Sequence, residues 1–336
     1  MGDHNQAEAA QAGPAPRRLV AVVVTHNRLA QLRETVARLL ASPERELAAL
    51  VVVDNLSGDG TGAWLAAQTD PRLEVLTART NLGGAGGFEW GMRQAMTRHD
   101  PDWLVLMDDD GRPQPGALAA FQAADLAGWD AVAAAVYYPD GAICEMNRPS
   151  RNPFWNLRGF FTTLLRLGRR DSFHIRPEVY AGAVPVAVDI TSFVGFFVSR
   201  QMVERVGFPD GALFVYGDDG LYSLGLRLAG GRIGFFPQIR FEHDCSTFAQ
   251  SAGRFRPLWK AYYYHRNLFL LYRRAAGGFF WLVLLLALPK WLLKVRHHPG
   301  ERRTYLRLLG KAVSDGFRGR TGVPHDAVMG WAEGRS

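Results

Sequence analysis

Apolar positions arrive in short blocks, separated by polar stretches of helical length. Leu19 to Val24 is unbroken and apolar, the pattern of a strand buried on both faces. After Asn27, Leu29, Leu32, Val36 and Leu39 recur at intervals of three and four, which predicts an amphipathic helix. Ala49 to Val53 predicts a second buried strand ending in Asp54-Asn55. Ser57 to Gly60 is turn chemistry, with a helix expected through Trp64 and Leu65. Leu73 to Leu76 predicts a third strand. Asn81 to Gly87 reads as a glycine-rich loop entering a helix that runs through Arg98. Trp103 to Met107 predicts a fourth strand, which Asp108-Asp109-Asp110 terminates. Strands alternating with helices imply an α/β fold around a mostly parallel sheet. Further on, Ala131 to Tyr137, Val186 to Val198 with a turn, Arg232 to Phe236 and Ile239 to Phe241 are strand-like. A helix is expected from Asp218, with Leu221, Leu224 and Leu228 on one face. Residues 148–180 mix Arg, aromatics and Pro and read as a long, partly mobile loop.

Composition adds an organisation. The 336 residues suffice for one large domain and a smaller appendage. Residues 1–18 are polar, without an apolar core segment, and are expected to be a disordered tail rather than a signal peptide. A catalytic domain is expected over 19–250 and a helical, basic C-terminal region over 251–336. Between Arg254 and Arg320 fifteen Lys/Arg face only Glu301 and Asp315, net +13 in a chain whose total is +7. The remainder therefore carries −6, and the basic third is expected to meet an anionic surface such as phospholipid headgroups or a polyprenyl diphosphate. No nucleic-acid-binding motif accompanies the charge. Phe279 to Pro289 has no polar side chain over eleven residues, shorter than the roughly 20 of a spanning helix. Trp281 and Trp291 bracket it and Lys/Arg flank it, so an interfacial membrane helix or hairpin is expected, with a buried core helix as the alternative. Cys144 and Cys245 form no CxxC pair and suggest no disulfide framework, so a reducing compartment is the default.

The candidate chemistry collects at strand ends. Ligands of such sheets sit beyond the carboxyl ends of the strands. Four polar clusters fall there: Thr25-His26-Asn27-Arg28, Asp54-Asn55, Asn81 onward, and Asp108 to Asp110. In extended chain Asp108 and Asp110 point to one side and Asp109 turns away. Neighbouring carboxylates repel unless a cation sits between them, and oxygen ligands suit Mg²⁺ or Mn²⁺. Such an ion would hold a diphosphate and offset charge on a leaving phosphate; the alternative is an exposed acidic turn. Asp54 can accept from a nucleobase or ribose, or make an Asx turn or helix cap. The Asn81–Phe88 loop lacks GxGxxG in register, which weakens a dinucleotide reading. In Gly217-Asp218-Asp219 a carboxylate can serve as general base or as helix N-cap. His243 follows a strand and can be a neutral imidazole ligand to the same cation, or structural.

The order THNR, VVDN, NLGGAGGF, DDD, GDD and a later histidine resembles the GT-A-fold glycosyltransferases of family 2 over roughly residues 19–248. NLGGAGGF paired with WLVLMDDDG most resembles the bacterial galactofuranosyltransferases of that family. YYYHRNLFLLYRR, from Tyr262 to Arg274, and SDGFRGRTG, from Ser314 to Gly322, resemble segments of galactofuranosyl- and rhamnosyltransferases of surface polysaccharide synthesis. The resemblance implies a Rossmann-like, mostly parallel sheet flanked by helices. It implies nucleotide-sugar contacts at Thr25, Asn27, Arg28, Asp54, Asn81, Gly83, Gly84 and Asp109. Metal ligands are implied at Asp108, Asp110 and His243, and a catalytic base at Asp219 with Asp218 beside it. Leu221 stands where the family has an acid and Arg227 comes late, so the choice between Asp218 and Asp219 stays open. The implied function is inverting, Mn²⁺- or Mg²⁺-dependent transfer of galactofuranose from UDP-galactofuranose to a lipid-linked or polysaccharide acceptor, at the inner face of the plasma membrane. The nearest alternative is a rhamnosyltransferase using dTDP-rhamnose. A sugar-nucleotide nucleotidyltransferase would carry a glycine-rich, Arg-containing loop where Thr25-His26-Asn27-Arg28 stands. A non-catalytic membrane scaffold fits poorly with intact acids.

Overall fold

The computed structural model describes residues 16–155, 157–165, 170–245 and 254–335; most of the expected tail and the expected boundary at 250 lie outside the described residues. The elements run β1 Leu19–Thr25, α1 Leu29–Leu40, β2 Ala49–Asp54, α2 Thr61–Ala66, β3 Leu73–Thr77, α3 Gly83–His99, β4 Trp103–Asp108 and β5 Gly111–Pro113. Then come α4 Ala117–Ala123, β6 Ala131–Tyr137, α5 Leu157–Leu165, α6 Pro177–Tyr180, β7 Val186–Val188, β8 Phe196–Ser199, α7 Arg200–Val206, α8 Asp218–Leu228 and β9 Ile233–His243. Four helices close the chain: α9 Lys260–Ala276, α10 Phe280–Leu293, α11 Arg302–Arg318 and α12 His325–Ala332.

One sheet in the order β3-β2-β1-β4-β8-β6-β9-β5, with β7 on β9, forms the centre. β1 to β4 are mutually parallel, and β8 runs antiparallel between β4 and β6. The unbroken apolar strands are unbroken because both faces are covered. Leu19, Ala21 and Val23 enter one core with α1, while Val20, Val22 and Val24 enter the other with α3. The parallel register sets Thr25 opposite Asp54 and Val24 opposite Asp108, so the polar clusters line up on one rim.

Several expectations are corrected. The glycine-rich segment is not a loop beyond Leu82; α3 begins at Gly83. A Cβ at Gly87 would meet Val24 at 2.5 Å, and one at Gly91 would meet Val22 at 2.6 Å. These glycines let the helix lie close on the sheet. Residues 148–180 contain α5, α6 and short 3₁₀ turns, and Arg148 is tied to Glu145, Asp171 and the Ile175 carbonyl. The two segments around Phe236 and Ile239 are one strand, β9, with a bulge opposite Ala134-Ala135. Leu228 does not share the buried face of α8; it is 50% exposed.

The C-terminal helices build a separate apolar cluster through Tyr262, Phe269, Trp291, Tyr305, Leu308 and Val328. By length and composition alone the helical run Lys260–His297 is apolar enough to cross a membrane. It is not straight. Gly277 takes φ +51°, and α10 folds back so that the Trp291 ring lies 5.3 Å from that of His265. Phe280, Leu284, Ala287 and Trp291 face inward, while Trp281, Leu285, Leu286 and Leu293 face out. Trp291, expected as an interfacial bracket, is therefore core.

Candidate active site

Beyond the carboxyl ends of β1 and β4 lies a cavity of about 420 Å³. Thr25, Arg28, Gly84, Asp108, Asp109, Asp110, Asp218, Asp219 and His243 all line it. β4 ends at Asp108, so Asp109 and Asp110 occupy a turn, and strand alternation does not reach them. Asp109 consequently does not turn away. Its Oδ2 accepts from Thr25 Oγ1 at 2.7 Å and its Oδ1 lies 3.3 Å from Arg28. Arg28 also pairs with Asp110.

His243 arrives through a three-residue strand. β5 pairs antiparallel with β9, setting Gly111 opposite His243, and the Asp244 amide donates to the Asp110 carbonyl at 2.9 Å. This register holds His243 Nε2 3.1 Å from Asp110 Oδ1. Nδ1 faces Asn147 Oδ1 at 2.7 Å, which leaves Nε2 directed at the acids.

Charge is crowded here. Burial, then the charge of Asp110, pushes Asp108 up to about 6. Burial outweighs Arg28 and pushes Asp109 up to about 7. Burial also opposes ionisation of Asp110, but the hydrogen bond and charge of His243, with Arg28, hold it below the ordinary range. Burial disfavours the imidazolium of His243, yet Asp110 wins and raises it to about 10. Asp108, Asp110 and His243 line the same cavity, with His243 Nε2 and Asp110 Oδ1 in direct contact, and carboxylate and imidazole are donor types that suit a divalent cation.

Asp218 and Asp219 open α8 behind Gly217, which is the N-cap at φ +75°; neither aspartate is the cap. Burial and the charge of Asp219 hold Asp218 well above the usual carboxylate range. Asp219, which accepts from the Gly220 amide at 2.6 Å, is pushed by burial to about 6. Burial thus raises both carboxyls of the pair, Asp218 the further.

Four sequence candidates do not line the cavity and tie its rim instead. Asn27 (φ +55°) receives the Gly58 amide at 2.7 Å. Asp54 is buried and accepts from the Ser57 amide, three residues on, at 2.9 Å. Asn81 Oδ1 accepts from Asn55 Nδ2 at 3.1 Å and from the Gly83 amide at 2.9 Å. A Cβ on Gly83 (φ +70°) would lie 2.1 Å from the Phe214 carbonyl oxygen, so this glycine serves a loop contact.

The sequence reading missed Asn147, Tyr216 and Lys260 in the lining. Lys260 enters from α9, and burial, then Arg28, lower its affinity for a proton. It also missed what YYYHRN does. His265, Arg266 and Asn267 are fully buried. Asn267 Nδ2 donates to the carbonyls of Leu213, Val215 and Tyr216 at 2.8–3.0 Å. Arg266 donates to those of Leu213 and Thr321, both at 2.8 Å. The C-terminal layer thereby holds the loop that delivers Asp218 and Asp219. The signal was a polar HRN inside an aromatic helix.

Residues 20–179 match the family model described as Glycosyl transferase family 2. The galactofuranosyltransferase GlfT1 of Mycolicibacterium smegmatis is 32% identical over 228 residues, covering 68% of this chain and 71% of that protein. The undecaprenyl-phosphate mannosyltransferase of Micrococcus luteus is 40% identical over 108 residues, 30% of this chain and 41% of that one. Among solved structures, the mannosyltransferase PcManGT from Pyrobaculum calidifontis, in complex with GDP-Man and Mn²⁺, is alike in fold at 18% identity. Its TM-score is 0.52, with 96% of this chain and 88% of that chain covered. The α/β expectation holds, and the chain belongs to glycosyltransferase family 2, as a glycosyltransferase of GT-A fold.

Proposed function

We propose that this enzyme transfers galactofuranose from UDP-galactofuranose, with inversion, to a lipid-linked or polysaccharide acceptor. The observation that carries the sugar is the similarity to GlfT1, which spans 71% of that protein and 68% of this chain. The similarity to the undecaprenyl-phosphate mannosyltransferase of Micrococcus luteus supports a polyprenyl-linked acceptor.

In this reading Asp108, Asp110 and His243 hold Mn²⁺ or Mg²⁺, as PcManGT was crystallised with Mn²⁺. The cation supplies the charge that carries the diphosphate and offsets the negative charge of the departing UDP. Arg28 and Thr25 orient Asp109 at the edge of that charge, beside the nucleotide sugar. Gly84 lets the backbone approach the donor sugar, and Asn81, Gly83, Asn27 and Asp54 shape the nucleotide rim. Asp219, whose carboxyl is raised less than that of Asp218, takes the acceptor hydroxyl proton. Protonated Asp218 keeps a second negative charge away from it. Direct displacement needs only that one base.

The division into a catalytic domain over 19–250 and a C-terminal region over 251–336 belongs to the same proposal. So does peripheral attachment at the inner face of the plasma membrane. Support comes from α10, whose outward face exposes Trp281 (67%), Leu285 (68%) and Leu293 (60%) beside Lys290 and Arg296. Phe160 of α5 stacks on Phe279 at 4.4 Å, and exposed Phe161 extends the apolar surface. An apolar face with a basic border suits an anionic interface.

Purified protein incubated with UDP-galactofuranose and Mn²⁺ should release UDP, and chelator should stop it. No turnover of any nucleotide sugar, with or without acceptor, would sink the reading. Stronger thermal stabilisation by dTDP than by UDP would move it to rhamnose transfer.

A further inference from the structure

We infer that Cys144, Cys245 and Nδ1 of His243 form a second metal site, for a soft or borderline cation of the Zn²⁺ class, back to back with the carboxylate site across one imidazole. Cys144 follows β6 and Cys245 lies two residues past β9, so the ends of two adjacent parallel strands bring together thiols that are 101 residues apart. The sulfurs are 3.9 Å apart. Nδ1 lies 3.2 Å from Cys245 Sγ and 3.9 Å from Cys144 Sγ. Tetrahedral zinc, with bonds of about 2.3 Å to sulfur and about 2.0–2.1 Å to nitrogen, sets S···S near ~3.8 Å and S···N near ~3.5 Å. The three edges found here match those values within a few tenths of an ångström, and all three residues are buried or half-buried. A disulfide would need the sulfurs at about 2.05 Å, which asks the two strand ends to close on each other.

The surroundings suit the assignment. Asn147 Oδ1 lies 2.7 Å from Nδ1 and 2.9 Å from Cys144 Sγ, within reach as an oxygen donor on the same side. A cation on Nδ1 displaces the proton there and leaves the ring proton on Nε2, which donates to Asp110 Oδ1 at 3.1 Å. That is the carboxylate–histidine–metal arrangement that orients zinc-bound imidazoles. Each tautomer of His243 then serves one site. Nδ1–H leaves Nε2 for the carboxylate cation, whereas Nε2–H leaves Nδ1 for the soft one. Loading the thiol site withdraws a ligand from the other, so Zn²⁺ antagonises Mn²⁺-dependent turnover. This last consequence rests on the reading of His243 under the proposed function; the thiol site itself does not.

Cobalt tests the site directly. Full-length protein is stripped with chelator, kept under reductant, and shown to carry two free thiols per chain. Titration with Co²⁺ should then produce a thiolate-to-cobalt charge-transfer band with tetrahedral d–d bands, displaced one-for-one by Zn²⁺. Cys144→Ser and Cys245→Ser should each abolish the charge-transfer pattern of the intact pair, while Asp110→Asn should keep it. Absence of the band with both thiols free would overturn the site. So would an unchanged band in both serine variants. In turnover assays Zn²⁺ should inhibit the wild type at least about tenfold more strongly than the double serine variant, a difference of about 1.4 kcal/mol in apparent affinity. A cobalt band without zinc inhibition supports the thiol site and removes His243 from the carboxylate cation instead.

Discussion

The parallel half-sheet and the C-terminal helical layer both end at the same cavity and reach it by opposite means. In β1 to β4 the interior is apolar on both faces, and the chemistry stands only at the strand ends, where backbone register aligns it. In the C-terminal layer the polar groups are inside. His265, Arg266 and Asn267 are fully buried, and their donors hold carbonyls of another segment. The acids beside the proposed cation are thus positioned by secondary structure, and the proposed base by side chains. A sheet tolerates many apolar exchanges as long as register survives, whereas a side-chain clasp fails when one amide is removed.

The comparison breaks most severely at the chemistry. Asp110→Ala, on the sheet side, should lower kcat/KM by about 10²- to 10³-fold or more, the range seen when preorganised charge stabilisation is lost. Asp219→Asn, on the clasp side, should cost about 10²- to 10⁴-fold. As the proposed base Asp219 acts in its ionised form, and with its carboxyl raised to about 6, wild-type kcat/KM should climb as pH rises through about 6. That limb should vanish in Asp219→Asn; its survival would assign the base elsewhere.

Next in size are two glycines. Gly83→Ala strains a φ of +70° and drives a Cβ against the Phe214 carbonyl, at the joint between the two regions. Gly91→Ala presses only on Val22 and Val53 within the sheet side. Thermal unfolding should show a loss of about 3 kcal/mol or more for Gly83→Ala and about 1–3 kcal/mol for Gly91→Ala. Only the first should also depress turnover out of proportion.

Asn267→Ala sharpens the contrast further. Three carbonyls lose a buried donor, at about 1–3 kcal/mol of stability. Turnover should fall while the Mn²⁺ concentration for half-activity stays put, since the clasp holds the base loop and not the carboxylates. A shifted Mn²⁺ requirement would erase the distinction. The smallest effect on folding belongs to Trp281→Ser with Leu285→Ser. Both side chains face outward, so stability should move by less than about 0.5 kcal/mol while the protein shifts from membrane to soluble fractions. Release by high salt alone, without these changes, would remove the apolar part of the attachment.

What was legible in the sequence follows from how each region is built. β1, β2, β4 and β6 were readable because burial on both faces leaves unbroken apolar runs. β5 was not, since three residues carry no period, and with it went the register that carries His243 to Asp110. Pro237 hid the continuity of β9, because a bulge absorbs it. The glycines of α3 looked like a loop because their role, close helix–sheet approach, depends on Val22 and Val24 far away in sequence. The expectation that Asp109 turns away assumed an extended chain two residues too long. Tyr216, Lys260 and Asn147 gave no local signal at all, as each meets the cavity only through tertiary packing.

The grip of Asn267 and Arg266 also constrains how this enzyme can be recombined. Residues 213–216 and the helix carrying His265 to Asn267 are separated by half a hundred positions yet fit as hand and handle. A chimera that takes only the closing helices from a relative would pair a foreign handle with a native loop. Grafts in this family should therefore travel with both segments together, and lineages that exchange the closing helices should carry the loop before Asp218 along with them.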